Sequence, residues 1–177
     1  MATTSTRLMT FEELEKLPDH PHDLRYELRH GEPVLVPPPI NKHYRVQYKL
    51  TRLLGRTAGD AGEIGTELGF RPRGDREYWI ADVAFLAKER WDSIDKYLMG
   101  SPELVVEVVL SPSNTTAEMR DRRKLCLETG SREFWIVDTD LREVEVYTPD
   151  GQMIPYKSGR DIPLFFGGRL AVDEIFS

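Results

Sequence analysis

The run Leu104-Val105-Val106-Glu107-Val108-Val109-Leu110 constrains the fold more than any other stretch of the chain. Its β-branched residues favour a strand. The lack of polar alternation says that both faces of that strand are covered, as in the interior of a sheet flanked by other layers. Only Glu107 breaks the apolar run. A carboxylate in such a place loses much of its hydration, at a cost of several kcal/mol (roughly) unless a cation or hydrogen-bond donors compensate. Glu107 therefore reads as half of an ion pair, as a strand-end acid reaching solvent, or as a metal ligand.

Asp82 repeats the pattern inside Trp79-Ile80-Ala81-Asp82-Val83-Ala84-Phe85. Neighbouring strands lie about 4.8 Å apart, so acids on two adjacent strands can meet at one ion. With one cysteine and four histidines in the chain, an oxygen-only ligand set favours Mg²⁺ or Mn²⁺ over zinc. Glu27 could add a third carboxylate, although its place in Arg25-Tyr26-Glu27-Leu28-Arg29 reads by itself as the exposed face of a hairpin. Glu32, Glu63 and Glu67 read as solvated surface.

Around these acids the chain spells out a mixed α/β order. Thr10-Phe11-Glu12-Glu13 has the capping-box pattern and predicts a short helix over 11–17. Residues 26–28 and 34–36 predict a hairpin around Arg29-His30-Gly31-Glu32. Asn41 is expected to cap a long helix to Ala58, stopped by Gly59 and Gly62. Strands follow at about 63–71, 78–86 and 103–110. A helix over 116–129, capped by Asn114 or Thr115, leads to a strand at 134–137. The turn Pro149-Asp150-Gly151 closes a last hairpin, 143–148 with 152–157. The core order is thus helix, three strands, helix, strand. At 177 residues, without repeats or low-complexity linkers, one domain over residues 1–177 is expected.

The formal net charge, 24 basic against 30 acidic residues or −6, argues against a protein that coats nucleic acid with its whole surface. It leaves room for a local basic face. Lys42, Arg45, Lys49, Arg52 and Arg56 recur at steps of three and four, within roughly an 80° arc of the long helix. Val46, Leu50 and Leu53 fill the adjoining arc. Such a ridge suits phosphate contacts, and a solvated helix face would look much the same. On the second long helix Met119, Arg122 and Cys126 share a face, which turns Arg122 inward and Lys124 outward. Cys126 reads as a small core residue. No phosphate-binding loop and no serine-hydrolase elbow is present. No stretch reaches the roughly 20 apolar residues of a membrane span, and the amino terminus lacks the apolar run of a secretory signal. With one cysteine, the expected compartment is the cytoplasm.

Four motifs in order carry a resemblance: Tyr26-Glu27-Leu28 with Gly31-Glu32; Ala81-Asp82-Val83; Leu104 to Leu110 with Ser111-Pro112-Ser113; and Arg132-Glu133-Phe134-Trp135-Ile136-Val137-Asp138. Together, over roughly residues 8–176, the chain resembles the Uma-two family of restriction-endonuclease-like proteins, in the PD-(D/E)XK nuclease superfamily. The resemblance implies a restriction-endonuclease-like core and a divalent-metal site that hydrolyses phosphodiester bonds in DNA. Asp82 takes the place of the first motif's aspartate, with Ala81 where proline is usual, and Glu107 that of the second acid. Val109 stands where the superfamily pattern expects lysine. The basic residue is shifted to the next helix, at Arg122, with Lys124 a frame-shifted alternative. Glu27 matches the family's amino-terminal glutamate in the acidic cluster, and His43 a histidine the family commonly carries. Arginine stays charged, so it can position and stabilise but cannot deprotonate water. A homodimer is expected by analogy. The competing readings are a catalytically weakened nuclease fold that binds nucleic acid, and an oligomeric structural protein in which Glu107 merely pairs with Arg122.

Overall fold

The computed structural model describes residues 7–18, 24–110 and 116–177. In chain order it contains α1 (Phe11–Leu14), β1 (Arg25–Arg29), β2 (Glu32–Val36), α2 (Asn41–Ala58), a 3₁₀ turn (Gly59–Ala61), β3 (Gly62–Arg71), β4 (Trp79–Ala87), α3 (Lys88–Asp92), β5 (Leu98–Met99), β6 (Leu104–Val109), α4 (Ala117–Glu128), β7 (Glu133–Asp138), β8 (Glu143–Tyr147), β9 (Met153–Tyr156), β10 (Asp161–Pro163), β11 (Arg169–Ala171) and α5 (Val172–Phe176). The expected core order reappears as α2-β3-β4-β6-α4-β7. The sequence patterns left out α3, β5, β10, β11 and α5, all of five residues or fewer.

The main sheet runs β5-β3-β4-β6-β7-β8-β9. Its β3–β5 and β6–β7 pairs are parallel and its other pairs antiparallel. β6 is the fourth of seven strands, which is why its sequence shows no polar alternation. Parallel β6 and β7 need a crossover, and α4 provides it. The hairpin β1–β2 forms a separate ladder. It is tied to the start of β4 by Leu28 and Tyr78, whose backbones exchange hydrogen bonds of 2.8 and 2.9 Å.

α2 starts differently from expectation. Asn41 is the first helical residue; the cap position falls on Ile40, with no side-chain cap bond. Pro37–Pro39 bring the chain in extended, and the Ile40 carbonyl already accepts from Tyr44 N at 2.9 Å. Burial anchors this helix instead. Leu50, Leu53 and Leu54 are all in the core, and each contributes about 1.5–3 kcal/mol, more than the ~1 kcal/mol of a side-chain cap. α4 is capped by Thr116, which accepts from Met119 N at 3.1 Å; the expected caps Asn114 and Thr115 lie outside the described residues.

β3 enters the sheet at Gly62, paired with Ala87. A Cβ there would stand 2.0 Å from the Leu86 carbonyl oxygen and 2.8 Å from the Phe85 ring. Gly62→Ala is therefore expected to lower stability by about 1–3 kcal/mol, the usual cost of overpacking, read as a drop in the thermal midpoint by circular dichroism.

Two apolar layers sandwich the sheet, and β4 contributes to both in an unusual way. Val83 and Phe85 join the layer under α2, with Leu104, Val106 and Val108. Trp79 and Ala81, of the same parity, join the layer under α4, with Phe70, Val105, Val109 and Cys126. β3 makes the same exchange between Ile64 and Leu68. Pairing stays in step across the change, Thr66 with Val83 and Leu68 with Ala81. The two strands thus turn over together. The residues at the turnover are Asp82 and, opposite it, Glu67, which holds a left-handed φ of +55°.

Candidate metal and nucleic-acid site

Asp82 and Glu107 sit one step beyond the last paired residues of β4 and β6, Val83 and Val106. They are cross-strand neighbours at the point where the ladder ends. Glu27 comes from β1, Arg122 from α4 and His43 from α2, and all five line one cleft of about 350 Å³. The triproline 37–39 and Ile40 form its rim.

The floor is organised by Arg122, which is only 5% exposed. Its Nε donates to Glu107 Oε1 at 2.9 Å, and one terminal nitrogen donates to both Glu27 oxygens at 2.9 and 3.2 Å. The other terminal nitrogen donates to the Ile80 carbonyl oxygen, and the guanidinium lies 5.0 Å over the Trp79 ring. Glu27 also accepts from Ile80 N and from Arg29 Nε, both at 2.8 Å. Burial works to raise the Glu27 pKa, but Arg122, then Arg29 and the Ile80 N–H outweigh it and hold the carboxylate below its ordinary range. Among the described residues, Glu107 has only Arg122. Burial first, opposed by Arg122 and reinforced by Asp82 and Glu27, pushes its carboxyl up to about 8. Burial disfavours the charged form of Arg122, yet Glu107 and Glu27 more than offset this and raise its pKa.

Asp82 is fixed through one oxygen. Its Oδ2 accepts from Val108 N at 2.7 Å and lies 3.0 Å from His43 Nε2. Among the described residues, Asp82 Oδ1 and Glu107 Oε2 have no protein partner. Each acid is thus held by one oxygen and keeps the other for the cleft.

The expected set of three carboxylates is reduced to two. Among the described residues, no group of three or more His, Cys, Asp or Glu side chains is arranged to hold an ion. Glu27 is consumed by Arg122, Arg29 and Ile80 N; far from facing solvent on a hairpin, it is 1% exposed. Asp82 and Glu107 remain, and one or two carboxylates are what hard ions such as Mg²⁺ and Mn²⁺ generally take, their other positions being filled by water and phosphate oxygens.

Other expected site residues fall in different places. Lys124 points outward, 75% exposed, with its nearest acid, Glu128, at 3.9 Å; it does not line the cleft. Arg122 has each of its three nitrogens bonded within the protein, so it positions Glu107 rather than reaching into solvent. His43, the histidine that the resemblance picks out and a candidate for touching phosphate, lies against the acidic pair, its Nε2 3.0 Å from Asp82 Oδ2. The ridge itself is real. Lys42 pairs with Asp140 and Lys49 donates to the Ser177 carbonyl oxygen. Among the described residues, Arg45, Lys49, Arg52 and Arg56 have no acidic side chain within ion-pair range.

Sequence reasoning missed two residues. Gln47 is fully buried; its Nε2 donates to the Asp82 carbonyl oxygen at 2.8 Å and to Glu67 Oε1, while its Oε1 has no partner among the described residues. A glutamine on the same helix face as Leu50 and Leu54 was a signal, since a buried amide must find partners. Glu67 also pairs with Arg25 and lines the cleft. Only the β3–β4 register, which sets it opposite Asp82, could have revealed it.

The central mixed sheet, its crossover helix and the acids at the ladder's end define a restriction-endonuclease-like fold. The family model described as "Uma2: Putative restriction endonuclease" matches residues 11–168, and the chain belongs to that family. Among solved structures it is similar to one described as "a putative nuclease belonging to DUF820" from Anabaena variabilis ATCC 29413. The two share 20% identity with a TM-score of 0.79, over 95% of this chain and 97% of that one, a likeness of fold. No curated protein matches. Among the described residues, no helix is long and apolar enough to cross a membrane.

Proposed function

We propose that the chain, acting as a single domain over residues 1–177, is a divalent-metal-dependent endonuclease that hydrolyses phosphodiester bonds in DNA, with Mg²⁺ or Mn²⁺ as its ion. One observation carries the reading: Asp82 and Glu107, cross-strand neighbours on β4 and β6, each keep one oxygen without a protein partner among the described residues, in a shared cleft. A bound Mg²⁺ or Mn²⁺ supplies Lewis acidity toward water and phosphate. Asp82 and Glu107 hold that ion. Val108 N and His43 orient Asp82, and Arg122, clamped by Glu27, orients Glu107. Lys42, Arg45, Lys49, Arg52 and Arg56 give the phosphate backbone a place to bind. A buried free thiol and a DNA substrate suit the cytoplasm.

A second reading, a weakened nuclease fold that binds DNA without cutting it, is favoured by Val109. It stands where lysine is expected and is packed into the α4 layer at 7% exposure, and no lysine lines the cleft. One assay separates the two: cleavage of plasmid and oligonucleotide DNA across Mg²⁺ and Mn²⁺ concentrations. The nuclease reading expects turnover that Asp82→Ala and Glu107→Ala each lower by roughly a hundredfold or more, beyond the 10–100-fold typical of residues that only orient a ligand. Equal cleavage by both variants overturns the metal-site assignment. Salt-sensitive DNA association with no turnover at any metal concentration establishes the binding reading.

A further inference from the structure

α2 carries two depressions on its flanks. The acidic cleft reaches it at Ile40 and His43. A second groove, of about 470 Å³, opens on the outer side between α2 and α5 and is lined by Lys42, Tyr44, Arg45, Tyr48, Lys49 and Arg52, with Arg142 and Phe176 across from them. His43 and Tyr44 are consecutive, so the two depressions share the first turn of the helix.

Tyr44 and Tyr48 are each 54% exposed, an unusual state for a large aromatic ring. They stand one turn apart with ring centroids 6.3 Å apart and planes 19° from parallel, and Arg52 lies 5.8 Å over the Tyr48 ring. Beside them run Arg45, Lys49 and Arg52, without acidic side-chain partners among the described residues. Cations alone would serve any polyanion, duplex DNA included. Parallel exposed rings beside them ask for flat, unpaired bases, because in a duplex the base faces are already stacked on one another. Base-on-aromatic stacking of this kind is worth about 1–3 kcal/mol per base and tolerates any sequence.

We propose that the Tyr44–Tyr48 face binds a single-stranded segment of DNA, stacking its bases on the two rings and its phosphates on Arg45, Lys49 and Arg52. The segment then crosses the first turn of α2 into the acidic cleft. The preferred substrate is thus DNA with an unpaired stretch, such as a flap, an overhang or a single strand. This deepens the nuclease reading and rests on it only for the fate of the strand, not for its binding.

The experiment measures binding in EDTA by fluorescence anisotropy, so that cleavage plays no part. The probes are a labelled 20-nucleotide oligothymidine and a labelled duplex of equal length. The parent is expected to bind the single strand more tightly. The Tyr44→Ala/Tyr48→Ala variant, whose exposed rings are not needed for folding, is expected to bind it at least tenfold more weakly while changing little toward duplex. Tyr44→Phe/Tyr48→Phe keeps the parent's affinity, and Arg45→Ala/Lys49→Ala weakens both probes. Equal single-strand binding by the double alanine variant overturns the proposal, as does a parent that prefers duplex. So does a variant that merely turns from dimer to monomer in sedimentation with its DNA binding unchanged, which would make this face a contact between two copies. A parent that binds single strands through the tyrosines but cuts nothing with Mg²⁺ or Mn²⁺ leaves this proposal standing and removes the nuclease one.

Discussion

Glu27→Ala is expected to lose about 3–5 kcal/mol of folding stability, the usual consequence of removing one partner from a buried ion pair. Few domains carry much more than 5–15 kcal/mol in total. Glu27, 1% exposed, accepts from Arg122, Arg29 and the Ile80 N–H. Without it, Arg122 keeps, among the described residues, only Glu107 as an acidic partner. The buried guanidinium would then lose one of its two carboxylate partners and the bonds of its terminal nitrogen to both Glu27 oxygens. Glu27→Gln keeps part of the hydrogen bonding and is expected to lose less. Urea denaturation monitored by tryptophan fluorescence measures both. A Glu27→Ala variant within about 1 kcal/mol of the parent would mean that water reaches Arg122 and that the clamp is not a fixed part of the fold.

Glu107→Gln is expected to gain stability over the parent as pH rises, in buffer free of divalent ions. The unfolded chain gives up the Glu107 proton near 4.5, whereas the folded chain keeps it until about 8. Between those values the folded state binds the extra proton. The parent's stability contribution from this group is therefore fully present below about 4.5 and is lost progressively up to about 8, by at most about 1.4 kcal/mol per pH unit. Glutamine cannot ionise, and its carbonyl oxygen can still accept from Arg122 Nε. Near pH 5 the two proteins should differ little; at pH 8 the variant should be the more stable by about 2–4 kcal/mol. A difference independent of pH would show that Glu107 is ionised in the folded protein throughout, balanced by Arg122 alone.

The fold was largely legible because its longest elements carry strong local signals. The apolar run around Glu107 demanded a doubly covered strand, and β6 is the central one. Gly59 stopped α2, and Pro149-Asp150-Gly151 turned β8 into β9. The elements that were not legible, such as β5 with two residues and β10 with three, are too short for a period to appear and exist because tertiary contacts hold them. The site divides along similar lines. Asp82 and Glu107 stood out because an acid in an apolar strand is costly and visible. Glu27 did not, since its hairpin looks solvent-facing until the Leu28–Tyr78 bridge presses it against β4. Asn41 had the right chemistry for a cap but lost the position to Ile40 once the prolines set the chain's approach. Glu67 was invisible for a different reason: what matters is its left-handed backbone opposite Asp82, and an ordinary side chain announces nothing of that kind.

The rollover shared by β3 and β4 explains how a twofold-covered sheet can keep charged groups in its middle at all. Like boards cut with a halving joint, the two strands give their outer length to one stack of hydrocarbon and their inner length to the other, and the seam between belongs to neither. Acidic side chains at that seam are spared from displacing an apolar neighbour, so the architecture makes a home for them without opening a hole in either stack. The same joinery binds the two stacks together, since each holds a share of the same two strands.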